Sequence, residues 1–143
     1  MLPSLKYGLA LDLPGGLWGK TTTGRQLIKA CEDLRRRGFH VEHLFGDSRE
    51  VETQVKVLNA GPFDAILIDG DHTYAGVQAD WENYRALAPI VAFHDIVGHD
   101  QRERVSNRAV EVPRLWAEIK ESGLRCVEFT APGSAMGIGV VFR

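Results

Sequence analysis

Apolar and polar positions along this 143-residue chain follow two periods that take turns from one end to the other. Short apolar runs read as strands: Tyr7–Leu11, ending at Asp12 before Pro14-Gly15-Gly16; His40–Phe45, ending at Gly46-Asp47-Ser48; Phe63–Ile68, the clearest buried strand; and Ile90–Phe93, ending in His94-Asp95. Between them the period lengthens to that of a helix. Leu27, Cys31 and Leu34 set one face of a helix over Gly24–Arg37, with Thr23 and Gln26 as a capping pair and Gly38 as its stop. Val51, Val55 and Leu58 are the expected inner face of a second helix, capped by Ser48 and closed by Gly61. Tyr74, Val77, Trp81, Tyr84 and Ala88 recur at helical spacing and read as core rather than as a cofactor box. Val112, Leu115, Trp116 and Ile119 mark a further helix ended by Gly123, and the polar stretch Gly98–Arg108 reads as a mobile loop. The last two strands, Leu124–Thr130 and Gly137–Phe142, are close enough to form an antiparallel pair.

Repeated strand–helix units of this length predict an α/β fold: a Rossmann-like three-layer sandwich with a mostly parallel sheet and a C-terminal antiparallel strand pair. The length suits one domain over residues 1–143. Seventeen basic residues against 19 acidic ones leave a net charge of −2, which gives no footing for a nucleic-acid or membrane-surface partner. The Arg35-Arg36-Arg37 run reads as the solvated end of a helix, where cations suit the dipole. Cys31 and Cys126 show no metal-like or redox-like spacing, so the chain is expected in the cytoplasm. No apolar run approaches the roughly 20 residues of a membrane span, and no signal peptide is visible.

The chemistry gathers at the strand ends. Four successive strands finish with Asp12, Asp47, Asp69 and the pair His94-Asp95. Asp is common after strands as a turn residue, but open α/β sheets also bind ligands beyond the carboxyl ends of their strands. An acid at the end of the first strand suits the two hydroxyls of a ribose. Asp69, His94 and Asp95 on adjacent strand ends suit one cation: oxygen donors favour Mg²⁺, Ca²⁺ or Mn²⁺, and an imidazole tilts the choice towards Mn²⁺, Fe²⁺ or Zn²⁺. His72, three residues after Asp69, is placed to act as a general base.

The run FDAILIDGDHTYAGVQADWENYRALAPIVAFHDIV resembles the core of the class I S-adenosylmethionine-dependent methyltransferases, in the group that includes the cephalosporin-hydroxylase-like and macrocin O-methyltransferase-like proteins. ALDLPGG, HLFGDS, VPRLWAEI and GSAMGIGVVF are similar to flanking segments of that family in the same order. The resemblance implies S-adenosylmethionine as cofactor, with Asp12 at its ribose and Asp47, with Ser48 beside it, near its adenine. It implies a divalent cation, Mg²⁺ or Mn²⁺, at Asp69, His94 and Asp95, with His72 as base. It implies metal-assisted O-methylation of a small molecule or sugar. Two positions depart from the family pattern: His-Asp stands where a carboxylate pair is expected, and Ala88-Pro89-Ile90 stands where a Pro-Gly-Gly turn is usual. The family also opens with a strand, a glycine-rich loop and a helix, whereas only Met1–Lys6 precede the strand that carries the ALDLPGG segment. A single truncated domain lacking the family's first strand is therefore expected. Either the two flanking strands pair directly and close the donor's space, or another chain, as in a homo-oligomer, supplies the strand. Direct pairing would leave donor binding weaker than about 100 μM, without measurable transfer.

Three other readings compete. A degenerate, non-catalytic relative would serve as a binding or assembly module. A P-loop-like nucleotide-binding protein is suggested by Pro14–Thr21, which misses G-x-x-x-x-G-K-[ST] by one residue at Pro14 and would put Lys20 on phosphate. A nucleotide-sugar transferase would use Asp69-Gly70-Asp71 as its metal motif.

Overall fold

The computed structural model describes residues 7–15, 22–98, 109–134 and 136–143. Most of the near-P-loop segment, Lys20 included, and nearly all of the Gly98–Arg108 stretch lie outside them. The chain divides into two compact units, residues 1–56 and 57–143.

The first unit holds β1 (Gly8–Asp12), α1 (Thr23–Arg36), β2 (Val41–Phe45) and the start of α2 (Val51–Ala60). β1 and β2 pair in parallel, Gly8 opposite Val41 through Asp12 opposite Phe45. α1 turns Gly24 and Cys31 inward and ends where Gly38 takes φ +89°, a left-handed turn that glycine enters at no steric cost. Thr22 is already near-helical (φ −88°, ψ −13°), so α1 begins at Thr23 and the N-cap position falls on Thr22, one residue before the expected Thr23. The expected inner stripe of α2 is also reversed. Val51, Val55 and Leu58 are exposed, while Thr53 and Val57 are buried. Gly46, at the end of β2, explains half of this: lacking a side chain, it leaves the place of a Cβ to the Thr53 hydroxyl. Ser48 lies three residues before the helix and belongs to the preceding turn.

The second unit holds the end of α2, β3 (Ala65–Ile68), α3 (Tyr74–Tyr84) with a 3₁₀ turn over Arg85–Leu87, β4 (Ile90–His94), α4 (Val112–Glu121), β5 (Arg125–Thr130) and β6 (Gly137–Phe142). Its sheet runs in the order β3-β4-β6-β5. β3 and β4 are parallel, β6 is antiparallel to β4, and β5 is antiparallel to β6. The Rossmann-like α/β fold is thus present with its C-terminal antiparallel pair, and the sheet of this unit is mixed because the β5–β6 hairpin inserts its second strand beside β4. β3, expected as the most buried strand, is an edge with only Ile68 buried and Leu67 59% exposed. Within the first unit β1 pairs with β2, and within the second β3 pairs with β4.

The core of the second unit lies on one sheet face. Val91, Phe93 and Val141 are fully buried there, with Val77, Trp81 and Tyr84 of α3 and Val112, Leu115, Trp116 and Ile119 of α4. The rings of Trp81 and Trp116 flank Phe93 at 5.6 and 5.8 Å. Such tilted aromatic pairs contribute beyond the area they bury.

Candidate functional site

Each unit carries its own group of strand-end side chains. In the first, the parallel register of β1 and β2 brings their carboxyl ends together, and the Gly46 amide donates to the Asp12 carbonyl at 3.1 Å. Oδ2 of Asp12 is buried and accepts no hydrogen bond. A buried carboxylate oxygen without a donor is costly and marks a place where a ligand hydroxyl would be welcome. Asp47 is held differently. The Arg49 amide and Nε donate to its Oδ1, both at 2.9 Å, and Nη2 donates to Oδ2 at 2.7 Å. The side-chain hydrogen bonds from Arg49, then the one from its amide, bring the Asp47 carboxyl down to about 2.

A prediction follows from that fork. Arg49→Ala should raise the Asp47 carboxyl towards the ordinary range of about 3.9, read by NMR titration of its carboxyl carbon. The sign is that of a depressed acid: in the wild type the contribution to stability is present above the unfolded pKa and is lost as pH falls towards about 2. An Asp47 midpoint unchanged by the substitution would remove Arg49 as the cause.

In the second unit, β3 and β4 place Asp69 and His94-Asp95 side by side, with Ile68 opposite Phe93 as the last registered pair. His72 reaches this group from the loop before α3. That loop is fixed by local bonds: Asp71 Oδ1 accepts from the Thr73 amide at 2.9 Å, and Thr73 Oγ1 caps α3 by accepting from the Gly76 amide at 3.1 Å. A longer tie comes from the start of α4, where the Glu111 amide donates to the His72 carbonyl at 2.8 Å and Glu111 Oε2 accepts from the Tyr74 amide at 3.0 Å. Nothing in the pattern around Glu111 signals this tie, because it joins residues 39 positions apart.

The four side chains converge. His72 Nε2 lies 3.4 Å from Asp69 Oδ1, and His72 Nδ1 lies 3.8 Å from Asp95 Oδ2. His94 Nδ1 lies 3.2 Å from Asp69 Oδ1 and 3.1 Å from Asp95 Oδ1. Asp95 is 6% exposed and adopts φ +59°, a left-handed conformation uncommon outside glycine, though least so for Asp and Asn. Burial works against the charged form of His72, but the hydrogen bond to Asp69 and the fields of Asp95, Asp69 and Asp71 outweigh it, and its pKa is raised. Among the described residues no three His, Cys, Asp or Glu side chains are disposed to hold a metal ion. An imidazole nitrogen of His94 already reaches both carboxylates of the expected donor set.

An α/β unit with acids and histidines gathered at parallel strand ends belongs with the Rossmann-like folds that bind ligands at that edge. Residues 16–96, more than half of the chain, match the family described as methyltransferase domain, and the chain belongs to that family. The fold is similar to that of a Staphylococcus aureus protein provisionally named a caffeoyl-CoA O-methyltransferase, with a TM-score of 0.59 and 15% identity over 96% of this chain and 76% of that one. Similarity also extends to MycE, a methyltransferase from the mycinamycin biosynthetic pathway solved with Mg and S-adenosylhomocysteine. There the TM-score is 0.49 and the identity 15%, over 98% of this chain and 46% of that one. No curated protein matches the sequence. Among the described residues no helix is long and apolar enough to cross a membrane.

Proposed function

We propose that this protein transfers the methyl group of S-adenosylmethionine to a hydroxyl of a small molecule, with His72 taking the hydroxyl proton. Family membership implies the donor. The observation that carries the rest is the setting of His72: a largely buried imidazole, its side chain 14% exposed, with a carboxylate facing each ring nitrogen. Such a setting favours the imidazolium that proton abstraction creates.

Asp12 is the residue that would receive the donor, because its orphaned Oδ2 lacks the hydrogen bond that a ribose hydroxyl supplies. Asp47, gripped by Arg49, and the neighbouring Ser48 would lie at the adenine end. The bound donor offers an electrophilic methyl group on a sulfonium. The acceptor oxygen forms the new C–O bond as the C–S bond breaks, and the electron pair of that bond stays on sulfur. The hydroxyl proton passes to His72, where Asp69 and Asp95 balance the new charge. Metal assistance would fall to Asp69, His94 and Asp95. Their facing atoms, His94 Nδ1 and Asp95 Oδ1, are buried and make no hydrogen bond, as a donor set awaiting a cation would be, and no step here passes through one.

Calorimetric titration with S-adenosylmethionine tests the reading. Saturable binding is expected, weakened about tenfold or more, or about 1.4 kcal/mol, by Asp12→Asn. No heat up to about 1 mM donor would overturn the proposal in favour of a non-catalytic binding module.

A further inference from the structure

The loop that carries Asp69 and His72 is held from two sides, and each side holds a different end of it. α3 holds the Asp69 end. Gly70 and Gly76 have no Cβ, and carboxylates use the space: Oδ2 of the buried Asp80 comes within 3.2 Å of where a Cβ at Gly70 would lie, and the Asp71 side chain takes the place of one at Gly76. The start of α4 holds the His72 end, and one residue makes both bonds there. The Glu111 amide donates to the His72 carbonyl at 2.8 Å, and Glu111 Oε2 accepts from the Tyr74 amide at 3.0 Å. The Thr73 amide, on the same peptide plane as the His72 carbonyl, donates to Asp71 Oδ1 at 2.9 Å. That plane is thus gripped by both its polar groups, and the next by the Glu111 carboxylate. Peptide planes are rigid and only two dihedrals join them, so fixing two in succession sets the direction in which His72 leaves the loop.

Any residue but proline would bring the amide, so the carboxylate is what glutamate adds at position 111. It meets the first orphan amide of α3 from 37 positions away and puts negative charge at the positive end of the helix dipole. α3 already has a local cap, since Thr73 Oγ1 accepts from the Gly76 amide at 3.1 Å. What Glu111 contributes beyond capping is a clip across His72. We infer that Glu111 is a positioning residue for His72, and that its clip keeps the imidazole between Asp69 and Asp95, 3.4 and 3.8 Å from their oxygens. Its bearing on catalysis rests on the proposed methyl transfer, in which a base misplaced by about 1 Å loses about 10²-fold in rate.

The clip can be read with neither donor nor acceptor present. Diethyl pyrocarbonate acylates neutral imidazoles, and peptide mass spectrometry gives the rate at each of the five histidines. At one fixed pH, wild-type His72, its side chain 14% exposed, should react far more slowly than His40, 68% exposed. Glu111→Ala should speed the reaction of His72 and the deuterium exchange of the Tyr74 amide by about tenfold each, the size of one lost charge-assisted hydrogen bond, with His40 unchanged. Glu111→Gln keeps an oxygen that accepts the same bond and should bring both rates to within about threefold of wild type. Glu118→Ala controls for a general loosening of α3 against α4. Glu118 accepts from the Tyr74 hydroxyl at 2.7 Å rather than from its backbone, so His72 should stay within about twofold of wild type. An unchanged His72 rate in Glu111→Ala, no recovery in Glu111→Gln, or equal acceleration by Glu118→Ala would each overturn the assignment. If the rates behave as expected while calorimetry shows no S-adenosylmethionine binding, the clip stands and methyl transfer falls. Donor binding with a His72 indifferent to Glu111 removes the positioning role and leaves the donor reading intact.

Discussion

Replacing His72 by alanine is expected to lower methyl transfer by about 10²–10⁴-fold, the range typical of a lost general base, while the dissociation constant for S-adenosylmethionine stays within about twofold. The split arises because the imidazole acts on the acceptor's proton, whereas donor binding is assigned to Asp12. Formation of S-adenosylhomocysteine with a hydroxylated small-molecule acceptor gives the rate, and calorimetry gives the affinity. The pH dependence carries a sign as well. A base must be neutral to act, and the Asp69 hydrogen bond with the surrounding carboxylates raises the His72 pKa. Wild-type turnover should therefore rise with pH through a midpoint above the ordinary histidine value of about 6.5. Stability moves the opposite way. A raised folded-state pKa contributes stability that is fully present below the unfolded value and is lost as pH rises through the folded one. Equal turnover of wild type and His72→Ala from acid to alkaline pH would remove His72 from the mechanism.

Trp116→Ala should destabilise the second unit by about 3–5 kcal/mol, a large part of the 5–15 kcal/mol typical of a whole domain. Trp116 is 2% exposed and touches three things at once. Its ring packs on Phe93, its Nε1 donates to Glu128 at 2.6 Å, and it lies against Gly139 so closely that a Cβ there would stand 2.6 Å from the ring. A close approach of that kind leaves no side chain on β6 to collapse into the space that alanine opens, which places the loss high in the range. Trp116→Phe keeps most of the packing and loses chiefly the charge-assisted hydrogen bond, about 1.5–3 kcal/mol. Urea unfolding followed by circular dichroism measures both, through a lowered midpoint at unchanged slope. A loss below about 1 kcal/mol for the alanine variant would mean that the aromatic row is not the core.

How much of this was legible beforehand differs from element to element. Among the described residues, the period-2 runs and the helical stripes located every strand and α-helix to within a few residues, because burial of one face imposes that spacing on any sequence that folds this way. The same runs put Asp12, Asp47, Asp69 and His94-Asp95 at strand ends, since a strand that ends in a polar residue surfaces there. Partnership is another matter. Periodicity shows that a helix has an apolar stripe but not what meets it, so Val51, Val55 and Leu58 are exposed while Thr53 fills the space above Gly46. An apolar run such as Phe63–Ile68 is equally consistent with the middle of a sheet and with its edge, and strand order decided for the edge. The placing of β6 between β4 and β5 depends on contacts distant in sequence. Spacing brought His72 and His94 near the carboxylates. Only side-chain geometry in the folded chain decided that His94 Nδ1 faces Asp69 and Asp95 together, because a 3 Å contact depends on rotamers and backbone angles that no linear pattern carries.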